Sequence, residues 1–505
     1  MTTKINKIVI FFFMVCFFQS CTNLEEEPVG LLAPESFFNT SSDAEAAVMG
    51  GYSMLARNLF YGRRLTMTLQ LLGDQVDIGD IGTRSTRVQT NDFQMDPFND
   101  DYSSIWNSAY LAIGSANSAI DGIPGIEMEE DRKNSLIGEA SMIRALSYYH
   151  LVQLFGAVPY VDEFVTDPNS LEDVTRTPVN EVYNNIIEDL KFAVTVLPEV
   201  QPNNARSRVT KGTAHTMLSK VYLILGEWDL AAEQAELVIN NAGNYGYDLV
   251  SDYKQLWDAD LGDQEEHIWT VDFLGGVSDY SNGNSTNVDY IGPMTGVRGA
   301  DMQGWSVMVA SPGMYPYFPD TDYRKEVSFL TEALVGGELT SFNEWLWPRI
   351  HIGKWNINAG QNADSNAANS DHNLVIFRYA EVLLIAAEAL NEANGGPTAK
   401  AYEYINKVRE RARNQGGEVS EFPEDVQEGL SQEEFREAVR KERTLELAFE
   451  WKRWYDLKRW GIVEEAFTEP DSFEPHPDIQ PYHTLLPIPQ EEISRSPNLT
   501  QNDGY

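Results

Sequence analysis

Lys211 to Asn240 is the stretch that most restricts how this chain can fold. It reads KGTAHTMLSKVYLILGEWDLAAEQAELVIN. Apolar residues recur at helical spacing on both sides of Gly226, and Gly226 is a natural helix end. Tyr222, Gly226, Trp228, Ala231 and Ala235 set an aromatic, a Gly, a second aromatic and then two Ala four residues apart. Small residues at that spacing let two helices pack closely at a turn. The stretch therefore predicts a helix pair.

The spacing matches the tetratricopeptide pattern. Arg378 to Ala412 repeats it more loosely, with Ala386 and Ala389, a turn over Asn394–Pro397, then Tyr402, Ile405 and Val408. Two to four such units would make a curved helical scaffold. Further amphipathic helices are expected at Ala44–Leu59, Asp101–Ile120, Leu136–Phe155 and Pro178–Leu197, bounded by Ser/Thr/Asp caps, Gly or Pro. Gly73–Asp100 lacks helical periodicity and reads as a long loop, with Asp74, Asp77, Arg84 and Arg87 as its polar contacts.

Arg440 to Gly461, RKERTLELAFEWKRWYDLKRWG, is unusual in a chain with 37 Lys+Arg against 77 Asp+Glu and a formal charge of −40. It carries seven of those basic residues and three of the eleven Trp. It has no Pro and no internal Gly, so it is expected to run as one helix of about six turns. It is either a basic-aromatic binding patch or a structural post. The acidity favours the post, with its Arg and Lys meeting buried or half-buried carboxylates, including Glu442, Glu446, Glu450 and Asp456 on the same helix.

From Tyr245 to about His372 the texture changes to Gly, Asn, Asp and Ser with scattered aromatics. His267–Phe273 and Arg349–Trp355 alternate like strands. Around them sit Tyr280, Tyr290, Trp305, Tyr315, Tyr317, Trp345 and Trp347. A pyranose has an apolar face that stacks on Trp or Tyr, and a rim of hydroxyls that wants amides and carboxylates. The alternative is that each ring plugs a loop onto the scaffold.

The N-terminus reads as an export signal over residues 1–20. Lys4 and Lys7 precede the apolar run Ile8–Phe18, which is too short to span a bilayer. Phe18-Gln19-Ser20-Cys21 resembles a bacterial lipobox, which implies acylation of Cys21. The only other Cys, Cys16, lies inside the signal, so the exported chain has no disulfide. Glu25-Glu26-Glu27 resembles the surface-export signal of Bacteroidetes lipoproteins, and equally reads as a solvated tether. The strong negative charge argues against nucleic-acid binding. It also suggests a neutral or cationic glycan rather than a sulfated or uronic one. No HExxH, P-loop, GxGxxG after a strand, or GxSxG occurs. Asp258-x-Asp260-x-x-Asp263 lacks the Gly and closing Glu of an EF-hand. No metal or cofactor is expected.

Four ordered motifs resemble the SusD/RagB family of outer-membrane nutrient-binding lipoproteins. They are GEASMIRALSYYHLVQLFGAVPYV (138–161), FRYAEVLLIAAEALNEANG (377–395) with INKVRERA (405–412), KERTLELAFEWKRWYDLKRWG (441–461) and LLPIPQEEISRSPNLTQNDGY (485–505). Trp451 stands where that family usually has Gly. The resemblance implies a mostly α, tetratricopeptide-like scaffold with a loop-rich, partly β variable region. It divides the chain into a signal (1–20), a lipid-anchored tether (21–40), an N-terminal helical half (41–244), a variable glycan-binding region (245–371) and a C-terminal helical half (372–505). It implies no catalysis. It implies a lipid-anchored protein at the cell exterior that captures a glycan and passes it to a SusC-like, TonB-dependent transporter in the outer membrane. Its shallow aromatic sites point here to Asp74, Arg84, Trp305, Tyr315 and Tyr317. Two other readings compete: a tetratricopeptide scaffold that binds protein segments, and a surface glycoside hydrolase, for which no carboxylate pair stands out.

Overall fold

The structure, a computed structural model, describes residues 37–275, 289–363 and 370–505. The export signal, Cys21, the Glu25–Glu27 cluster and Tyr280 lie outside the described residues. No helix among those described is long and apolar enough to cross a membrane.

Helix α1 (Ser41–Leu55) starts at a reciprocal cap, in which Thr40 accepts from the Asp43 N–H and Asp43 accepts from that of Thr40. The stretch expected as a loop over 73–100 is partly ordered. Helix α2 (Arg64–Leu71) leads into strand β1 (Val76–Ile78), and helix α3 (Ser85–Asn91) follows. Three residues are too few to announce a strand. β1 exists because it pairs with a segment far along the chain.

Helices α4 (Asp100–Gly122), α5 (Glu130–Phe155) and α6 (Val179–Val196) come next. They are followed by the expected pair, α7 (Lys211–Leu225) and α8 (Trp228–Asn240). Gly226 takes φ +73 at the turn, a left-handed conformation that Gly adopts without strain. Ala231 and Ala235 are fully buried where α8 meets α7. Each helix from α4 to α8 packs on the one before it, and α1 lies across α4 and α5.

A long insertion now leaves the helical stack and returns to it. Its base is an antiparallel pair, β2 (His267–Val271) with β8 (Leu374–Arg378), in which Trp269 faces Phe377. Within it lie β3 (Met308–Ala310), β4 (Phe329–Leu330), the hairpin β5 (Glu332–Val335) and β6 (Glu338–Ser341), and β7 (His351–Ile352). A four-stranded antiparallel sheet has the order β1-β3-β7-β4, so the early loop and the insertion share one sheet. Helices α9 (Tyr379–Asn394) and α10 (Ala399–Ala412) resume the stack, and α9 packs directly on α8.

The basic stretch is not one helix. α11 (Gln432–Glu446) stops, and α12 (Arg453–Trp460) restarts beyond it. Between them Phe449 has φ +65 and Trp451 φ +49. Left-handed geometry costs a bulky residue about 1–2 kcal/mol, so tertiary contacts hold the break open. The Phe449 N–H donates to Gln75 Oε1 at 3.2 Å, and Trp451 stacks on Trp355 at 5.7 Å. The left-handed φ at Trp451 explains a Gly preference at that position.

Three carboxylates of this stretch are buried. Glu446 is fully buried and accepts from Arg324 Nη1 at 3.0 Å, Arg378 Nη1 at 2.6 Å and Arg411 Nη2. Glu442 takes Arg324 and Arg409, while Glu450 takes Arg378 and Lys354. These carboxylates are thus met by bases from the insertion, β8 and α10, and not by those of their own segment. Of the four expected carboxylates, Asp456 is met by bases of the same stretch, Arg443 and Arg459. The other partners of these two, and those of Lys452 and Arg453, are the buried carboxylates Glu381, Glu388 and Asp74. Burial pushes the Glu446 carboxyl up, but Arg411, Arg378 and Arg324 outweigh it and hold it well below the usual carboxylate range.

Removing one member of such a network strands the others. Glu446→Gln is expected to cost about 3–5 kcal/mol in urea unfolding. A loss below about 1 kcal/mol, the range of exposed pairs, would refute a central role for this carboxylate.

Candidate functional site

The rings of the insertion fall into three separate places. The first is built around Trp305. The backbone of 304–306 is clamped: Gly304 N–H donates to Val297 O at 3.1 Å, Trp305 N–H to Pro293 O at 2.6 Å and Ser306 N–H to Gly296 O at 2.8 Å. Gly304 lies so close to Gly296 that a Cβ there would fall 1.9 Å from the Gly296 carbonyl carbon. Ser306 is left-handed at φ +51, which turns the chain into β3. The Trp305 ring is half-buried and sits 5.6 Å from Tyr290, tilted by 49°.

The early loop reaches this ring. Gly79 N–H donates to Val307 O at 3.1 Å and Asp80 N–H to Ser306 O at 2.6 Å, extending the β1–β3 ladder. Arg298 pairs with Asp80 across the same junction. Tyr290 N–H donates to Gly62 O at 3.2 Å, and the Arg63 guanidinium lies 4.7 Å from the Tyr290 ring centre. Arg84 stands just beyond, 46% exposed, with Nη2 2.5 Å from Asp100 Oδ2.

Tyr315 occupies a second place. It lines an open groove of about 820 Å³ with Asp320, Tyr323, Lys325, Phe329 and Phe422. Lys325 Nζ sits 4.2 Å from the centre of its ring, and Phe329 meets it edge-on at 5.2 Å. Tyr317, two residues on, turns to a third place. It packs edge-on against Phe473 at 4.8 Å, beside Asp74 and Arg453, over a shallow hollow of about 290 Å³. Burial pushes its phenol up.

Asp74 is corrected by this arrangement. It is 2% exposed, and its two oxygens accept from Arg453 Nε and Nη2 at 2.7 Å each. Its carboxylate positions Arg453 under Tyr317 and is already engaged. Of the five residues singled out in the sequence, Arg84 and Trp305 belong to the first region. Asp74 and Tyr317 share another, and Tyr315 stands apart.

Sequence reading passed over Arg63 and Arg64, which lie in the segment after the first expected helix. Their signal was present: an adjacent basic pair in a strongly acidic chain, directly before an apolar helical run. The acidic residues Asp258, Asp260 and Asp263 serve turns. Asp258 accepts from the Asp260 N–H, Asn358 donates to both Asp258 and Asp260, and Asp263 accepts from the Arg206 N–H.

Gly304→Ala drives a methyl group into the Gly296 backbone. The expected outcome is a stability loss of about 1–3 kcal/mol, with altered near-ultraviolet circular dichroism from the Trp305–Tyr290 pair. An unchanged spectrum and unfolding midpoint would show that this contact does not hold the ring.

Comparison with known proteins covers nearly all of the chain. A family model described as "SusD family" matches residues 335–505, and one described as "Starch-binding associating with outer membrane" matches residues 66–223. SusD-like protein P2 of Formosa agariphila is 42% identical over 99% of both chains. The crystal structure of a SusD homolog from Bacteroides thetaiotaomicron superposes with a TM-score of 0.82 at 25% identity, covering 94% of this chain and 98% of that one. A laminarin-binding SusD-like protein superposes with a TM-score of 0.78 at 25% identity, covering 93% of this chain and all of the other.

Proposed function

The chain belongs to the SusD family, and we propose that it is a cell-surface lipoprotein that captures an oligo- or polysaccharide and delivers it to a TonB-dependent outer-membrane transporter. The observation that carries the binding part is the half-buried Trp305 ring, set on a backbone held by hydrogen bonds at 304–306, with Tyr290 at 5.6 Å and Arg63 over the Tyr290 ring. A half-exposed ring on a fixed backbone stacks a pyranose at little entropic cost, and nearby guanidiniums donate to ring hydroxyls. A relative of the same fold named for laminarin binding supports the ligand class. The Tyr315 groove is a second contact surface for a long polymer.

Binding here needs no chemistry. The protein's task is to hold the glycan and then release it, so an open surface suits it better than an enclosed pocket. Anchoring through acylated Cys21 would keep that surface at the outer membrane, in line with the description of the family model that matches 66–223.

Two measurements test this reading. Calorimetry and affinity electrophoresis against a glycan panel should show binding that Trp305→Ala weakens by about 1–3 kcal/mol, as for an aromatic anchor. Unaltered affinity in Trp305→Ala, Tyr315→Ala and Tyr317→Ala alike would place the contact elsewhere. Cys21→Ala should move the protein from the membrane fraction to the soluble one. Retention of that variant in membranes would remove the lipid anchor.

A further inference from the structure

Three helix starts bring four arginines together, and one of them, Arg63, lies over the Tyr290 ring that meets Trp305. Arg63 and Arg64 open α2, Arg84 and Arg87 open α3, and Asp100 and Asp101 open α4, which packs on both. The charges do not cancel. Asp100 is shared by Arg64, at 3.7 Å, and Arg84, at 2.5 Å, while Asp101 is taken by Arg64. Among the described residues, Arg63 and Arg87 form no ion pair. Arg63 lies over the Tyr290 ring, and Arg87 Nη1 donates to the Thr83 hydroxyl at 2.8 Å.

The arginines repel one another as well. Burial, then Arg63 and Arg84, push the Arg64 guanidinium down to about 9 against the pull of Asp100, and Arg87 adds a smaller push. Burial, then Arg63 and Arg84, push Arg87 down to about 10. Four guanidiniums held against two carboxylates leave an excess of positive charge. Arg84, 46% exposed, brings the cluster to the surface.

We infer that this arginine cluster takes the acidic groups of an anionic glycan, carboxylate or sulfate, stacked on Trp305. The inference rests on the glycan-binding reading above and names the ligand class of the same site. A guanidinium presents a planar fork of donors that matches carboxylate and sulfate oxygens in pairs. Such an anion supplies the charge that Asp100 and Asp101 leave short. The overall charge of −40 pointed the other way, toward neutral or cationic sugars. That long-range field is screened within about 8 Å in physiological salt, whereas the arginines act on contact.

The test uses the full chain against three probes: laminarin as a neutral glucan, a polyuronate and a sulfated polysaccharide. The expected result is tighter binding of one or both acidic probes, weakening steeply as salt rises. Arg84→Gln should lower that affinity by roughly tenfold, the effect of one charge-assisted hydrogen bond. Asp100→Asn, which removes a competing carboxylate, should raise it. The polyuronate and sulfate arms tell which anion is read. Laminarin bound and both acidic probes ignored, or acidic binding indifferent to salt and to both variants, overturns this inference and leaves glycan capture standing. Failure to bind any probe in the panel removes both.

Discussion

Glu446 is the point at which separate parts of this chain meet. It lies at the end of α11, and the guanidiniums that hold it come from the insertion (Arg324), from β8 (Arg378) and from α10 (Arg411). Arg378 and Arg411 also share Glu266, just before β2. One ionic cluster therefore links the strand pair at the base of the insertion to the C-terminal helices. Buried charges are costly to desolvate, and such a cluster tolerates only one geometry in which all partners are satisfied. That geometry requires α11 to stop at Glu446. A continued helix would carry Glu450 and Trp451 away from Arg378, Lys354 and Trp355.

The second constraint is the β1–β3 pairing. It is short, yet it joins a segment near residue 77 to one near residue 309. Through it the early loop and the insertion become one surface, with Trp305 on one side of the seam and Arg84 on the other. The Gly296–Gly304 contact fixes the backbone that carries the ring. The site is thus assembled from chain segments that know nothing of each other locally.

Charge acts here on two length scales. The overall charge of −40 acts at long range, where it favours solubility. Arginines in the buried network around Glu446 are neutralised by carboxylates, whereas those at the starts of α2 and α3 are neutralised only in part. A net charge averages over both and predicts neither.

Sequence alone determined the helical scaffold and the family. The α7–α8 pair, the caps of α1 and α7 and the helices α4 to α6 follow from periodicity and end signals within a few residues of each other, and physics at that range is written directly in the chain. The candidate rings Trp305, Tyr315 and Tyr317 were legible as aromatics in a polar, turn-rich stretch, but their sorting into three places was not. The basic stretch Arg440–Gly461 read as one helix because nothing local breaks it; Gln75, Trp355 and Arg378 break it from far away. Asp74 read as a loop carboxylate free for a ligand, and Arg453, almost 400 residues on, had already taken it. Only the tertiary structure decided these, because each depends on a partner distant in sequence. The same holds for the arginine cluster, whose excess of charge exists only once three helix starts are brought side by side.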